Sequence, residues 1–173
     1  MRIKELIAFT IFALLSSQAT SSTSSDAVVL FDALCIGAEA DINVIEKMAT
    51  AAGAKPISQE SLQADQAIAQ HGGKGYVLNR NNHKFFIMVT TKRGCSIIAQ
   101  DTSAPEIKKL LEQNYPIAKQ NEDESGTQVI TSWKIVHPSM HKGGTIVLNA
   151  AKPGFGADNA ISLGFLPASV ANQ

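Results

Sequence analysis

The sequence lacks a surplus of charge of either sign: 15 lysines and arginines stand against 15 aspartates and glutamates. That balance excludes the basic footprint on which nucleic-acid binding depends. The only adjacent basic pairs are Lys92-Arg93, expected in a turn, and Lys108-Lys109, expected on a helix surface, and both read as solvated. No apolar run approaches the ~20 residues of a membrane-crossing helix. Cysteine is scarce, with Cys35 and Cys95 alone and no Cys-x-x-Cys, so a dithiol redox centre has no support. No Gly-x-Ser-x-Gly elbow occurs, which removes the main support for an α/β-hydrolase. Phosphate-binding glycine motifs fail as well. Ile68 stands where a P-loop before Gly73-Lys74 needs its first glycine, Gly75 replaces the hydroxyl residue, and Asn159 replaces the third glycine of a dinucleotide fingerprint at Gly154-Phe155-Gly156. There is no Asn-x-Ser/Thr acceptor either.

What is present begins at the N-terminus. Arg2 and Lys4 precede the apolar run Leu6 to Leu15, and small residues follow as far as Ala19. That is the layout of a cleaved secretory signal peptide over residues 1–19, with Ser25-Asp26-Ala27 as a second cleavage position. Residues 20–27 read as a Ser/Thr-rich linker, and residues 28–173 as a single domain. Cleavage removes Arg2, Lys4 and Glu5, leaving 13 bases and 14 acids, and leaves a chain that does not span a membrane. In an exported protein two cysteines imply one disulfide, Cys35 to Cys95, which stabilises by about 4 kcal/mol in the chain-entropy account.

Asp41 predicts a helix cap, with Ile42, Ile45 and Ala49 on one face and Gly53 as the stop. A weaker helix is expected from Ser58 to His71, and Val28 to Ile36 reads as buried helix or strand. From Gly75 the period changes to two. Strands are expected over Gly75 to Leu78, Lys84 to Thr91 and Cys95 to Ala99, joined by an asparagine loop and by a turn in which Gly94 supplies the positive φ. Ser103-Ala104-Pro105-Glu106 is a capping box with Pro in the first turn, opening a helix whose stripe is Ile107, Leu110, Leu111 and Tyr115. A polar loop from Lys119 to Gly126 precedes the alternating stretch Thr127 to Val136, and further strands are expected at Thr145 to Asn149 and Ala160 to Phe165. The expected fold is α+β: N-terminal helices, then an antiparallel sheet of about six strands in the order β-β-β-α-β-β-β.

The placement of Cys35, of Gly94-Cys95 at a strand entry and of Trp133 on a later strand resembles small exported proteins of Gram-negative bacteria. The resemblance implies a periplasmic address and a stapled α+β fold, and it transfers no active site.

His137 and His141 are four apart, the spacing of two metal ligands on one helix face, but Pro138 and Gly143-Gly144 oppose that helix. Ser139-Met140-His141-Lys142 has the Ser-x-x-Lys spacing of an activated serine without the companion Lys-Thr-Gly and Ser-Asp-Asn elements. No metal, cofactor or catalytic residue is therefore expected. Three loops are candidate contact surfaces, carrying Asn81 and His83, Glu122 and Asp123, and His137 and His141. The expected function is a non-catalytic binder of a protein partner in the cell envelope, such as an inhibitor or immunity protein against a toxin or wall-degrading enzyme. The alternative is a small envelope hydrolase using histidine from the 137–142 loop, with or without a metal. Converging histidines would favour the enzyme, and diverging ones the binder.

Overall fold

A computed structural model describes residues 22–152, 154, 155 and 159–171. The expected signal peptide lies outside the described residues. Helix α1, Thr23–Leu30, starts where a linker was expected. Ser22 caps it by accepting from the Ser25 amide, and the side chains of Thr23, Ser24 and Asp26 are buried rather than solvated. The helix widens to π geometry over Phe31–Ile36, so the ambiguous segment around Cys35 is helical. Helix α2, Ile42–Ala51, follows its Asp41 cap as expected and buries Ile45 and Ala49. The weak helix beyond Ser58 is two short ones, α3 (Gln59–Leu62) and α4 (Gln66–His71), each with its own side-chain cap. Helix α5 is Ala104–Asn114, and α6 is the short Ala168–Ala171.

The sheet has eight antiparallel strands, not six, in the order β1-β2-β3-β4-β8-β7-β6-β5. They are β1 (Lys55–Pro56), β2 (Gly73–Arg80), β3 (His83–Thr90), β4 (Cys95–Ala99), β5 (Ile117–Ser125), β6 (Gln128–Ile135), β7 (Thr145–Ala151) and β8 (Ile161–Leu166). The two missed strands are both edges. The first is only two residues long, and β5 is the segment expected as a polar loop. Its side chains are exposed from Ala118 onward, so it carries no alternation of polarity, and its pairing with β6 is what makes it a strand. The β2–β3 loop is also shorter than expected. Arg80 pairs with His83, and Asn81 and Asn82 form a two-residue turn with φ of 49° and 64°. In the next turn the positive φ falls on Arg93 (60°) rather than on Gly94.

One face of the sheet is sealed. Phe85, Ile87, Ile97, Leu163 and Leu148 are fully buried there against α1, the π segment, α2 and α5. The Cys35–Cys95 disulfide, with Cα atoms 5.3 Å apart, ties the π segment to the start of β4 at the sheet centre. On the other face α3 and α4 cover only the β2–β3 end. Gly75 permits this approach, since a Cβ there would lie 2.5 Å from Leu62 Cδ2 and 3.1 Å from Ile57 Cδ1. Leu62 and Ile68 are buried in this second, smaller layer, outside the main core.

Candidate functional site

Asn81 and His83 turn inward to the first helix. Asn81 Nδ2 donates to Asp26 Oδ2 at 2.7 Å, while Arg80 Nε pairs with Asp26 Oδ1 at 3.2 Å. Asp26 is 1% exposed, so these partners satisfy a carboxylate that burial would otherwise penalise. His83 Nδ1 lies 3.0 Å from Thr23 Oγ1. Both residues thus pin α1 to the β2–β3 turn, and this half of the candidate set has a structural occupation.

Glu122 and Asp123 lie on the edge strand β5. Glu122 Oε2 accepts from Lys108 Nζ at 2.7 Å and Thr131 Oγ1 at 2.9 Å, and Lys119 Nζ is 3.0 Å away. The bond from Lys108, then those from Lys119 and Thr131, lower its carboxyl to about 2, which fixes it as an anion rather than a proton carrier. Asp123 accepts from Asn121 Nδ2.

The two loop histidines differ in setting. His137 is exposed, whereas His141 is half-buried, with its ring edge on Phe165 (centroids 6.3 Å apart, planes at 83°) and Nδ1 3.8 Å from Glu39 Oε1. Ser139 Oγ accepts the His141 amide hydrogen at 3.1 Å, so the serine shapes the loop. Among the described residues no three His, Cys, Asp or Glu side chains form a metal-holding group. The most perturbed phenol, Tyr115, donates to Asp32 Oδ1 at 2.6 Å. Burial first, then the Asp32 carboxylate, push it far above its ordinary value, so it stays protonated at any working pH.

Two concavities lie outside the expected loops. The first is on the uncovered sheet face, where two cross-strand rows run over the centre: Phe86, Ile98, Ser162, Asn149 and Ile130, and beside them Met88, Ser96, Gly164, Val147 and Ser132. All ten are half-buried, and α4 borders the concavity through Asp65, Ala67 and Ile68. Ser96, Ser162 and Gly164 form a low floor between the larger side chains, and a Cβ at Gly164 would meet nothing closer than 3.8 Å. Asn149 Oδ1 has no hydrogen-bond partner among the described residues.

The second concavity is on the helix-covered side, at the N-terminal end of α5 and the adjoining ends of β6, β7 and β8. It encloses about 560 Å³ over Val129, Leu148, Ala150 and Ile161, and Lys108 and Lys152 line it too. Lys152 Nζ is paired with Glu124 Oε2 at 2.8 Å. Sequence reasoning missed both concavities. The apolar residues Phe86, Met88, Ile98 and Val147, set between the buried positions, were the one available signal for the first.

Comparison with protein-family models, curated proteins and solved structures finds no match. The described helices include none long and apolar enough to cross a membrane.

Proposed function

We propose that this chain is an exported, non-catalytic protein-binding protein of the cell envelope, of the inhibitor or immunity type, working in the bacterial periplasm. The observation that carries the reading is the uncovered sheet face. Strands β3, β4 and β7 leave Met88, Ile98 and Val147 half-exposed around the neutral floor of Ser96, Ser162 and Gly164, with α4 along one border. A rigid sheet stapled at its centre by a disulfide is a surface that a partner can meet without reshaping it. Because the floor of Ser96, Ser162 and Gly164 carries no ionisable side chain, the partner segment that fits it presents apolar and neutral polar groups. Export and the disulfide are consistent with the compartment.

The test is affinity capture by the oxidised protein from envelope and medium fractions, run beside Ser96→Arg/Ser162→Arg and His137→Ala/His141→Ala. Retention of one stoichiometric partner by the wild type and the histidine variant, with loss by the serine variant, supports the proposal. Equal retention by the serine variant removes the sheet face, and no partner in any arm removes the binder. One observation favours the hydrolase reading, the approach of Glu39 to His141. A hydrolytic activity abolished by His141→Ala would establish it.

A further inference from the structure

The cavity beneath the N-terminal end of α5 is independent of the sheet face just discussed and lies on the other side of the sheet. Its volume of about 560 Å³ falls within the range of small-molecule sites, ~300–1,000 Å³. Its lining divides by chemistry. Leu148 and Thr131 are buried to 1% exposure or less, and Ala150 and Ile161 nearly so, which gives a mostly aliphatic interior. The cationic lining residues are Lys108 and Lys152, whose side chains are only 29% and 23% exposed, so the stems of both lie against protein while the ammonium groups find carboxylates.

Those two lysines are not equivalent. Lys108 is locked into a network, because its partner Glu122 is also held by Lys119 and by the buried Thr131 hydroxyl. Among the described residues Lys152 has a single carboxylate partner, Glu124, whose side chain is 72% exposed. An exposed ion pair of that kind is worth little, so an incoming anion can take Glu124's place at small cost. At Lys108 an incoming anion would compete with a carboxylate that Lys119 and Thr131 also hold in place.

We infer that this cavity binds a small amphipathic carboxylate, with its apolar body over Leu148, Ala150 and Ile161 and its head on Lys152 in exchange for Glu124. An interior without charge selects the acyl-type body, and the displaceable partner of Lys152 selects one negative head rather than a neutral or cationic one.

Calorimetric titration of the oxidised full chain with decanoate and with 1-decanol tests this. Decanoate is expected to bind at least about tenfold more tightly than 1-decanol, and to raise the melting temperature with the logarithm of its concentration above Kd. Lys152→Met should bring decanoate down to the decanol level and leave decanol unchanged. Glu124→Gln, which releases Lys152, should strengthen decanoate about threefold. Val129→Trp should abolish both ligands by filling the space, with Ala160→Phe as a second filling variant if the first does not fold. Absence of decanoate binding overturns the inference, as does decanol binding of equal strength or a Lys152→Met protein that still prefers the acid.

Discussion

The two faces of this sheet are built from the same strands, one residue out of step, and they meet opposite fates. On β3, Phe85, Ile87 and Val89 are fully buried beneath helices, while their neighbours Phe86, Met88 and Thr90 stay half-exposed. Both sets are largely apolar, so hydrophobicity alone does not decide which face is sealed. The decision comes from the segments around the sheet: among the described helices, α1, the π segment, α2 and α5 fall on one side, and the short α3 and α4 on the other. The covered face holds the fold, and the uncovered one remains available for contact.

That contrast can be broken most forcefully at the staple. Cys35→Ser/Cys95→Ser should lower the unfolding free energy by about 4 kcal/mol, read from urea denaturation, because a 60-residue separation is no longer bridged in the unfolded chain. Next comes the direct comparison of the faces. Leu163→Ala, in the sealed core, should cost about 3 kcal/mol, and Val147→Ala on the open face less than about 1 kcal/mol. Equal losses would mean that the open face is also structural. Asp26→Ala should cost about 2 kcal/mol by removing the acceptor that holds Arg80 and Asn81, and hydrogen exchange should show α1 as the element that loosens.

The smallest effect lies at the edge strand. Glu122 is depressed to about 2 from 4.5, so its stabilising contribution is complete above the unfolded value and is lost as pH falls toward 2. Glu122→Gln should therefore lower stability modestly at neutral pH, since the pairs it loses are exposed, and flatten the acid limb so that the two curves converge as pH falls toward 2. A variant that parallels the wild type at every pH would show that the Lys108, Lys119 and Thr131 contacts add nothing in solution.

Much of the sealed face was legible in the residues. The Ser103 cap with Pro105, and the alternation through Thr131, Trp133 and Ile135, predict α5 and β6 because local chemistry and burial agree there. The elements that escaped are those whose reasons are remote. Helix α1 has no apolar stripe at its start. It is held by contacts distant in sequence, such as the Ser103 amide donating to Ser24 Oγ at 3.0 Å and Asn81 donating to Asp26. Strand β5 exists through its partner strand rather than its own pattern. The candidate loops read as contact surfaces because asparagine, histidine and glutamate are polar, yet Asn81, His83 and Glu122 are engaged by partners within the chain. The cavity under α5 gathers residues from segments near 105, 130, 150 and 160, and no local pattern could announce it.

The strand order carries a further consequence for assembly. Strand β8, the last in chain order, lies between β4 and β7 at the middle of the sheet. A chain emerging N-terminus first can form the β1–β4 ribbon early and the β5–β7 ribbon later, but each then presents a bare backbone edge to the other. Only the arrival of Ile161–Leu166 closes that gap and joins the two ribbons. Joining of the two ribbons thus waits on β8, and until it arrives the half-built molecule is most exposed to proteolysis and to wrong partners.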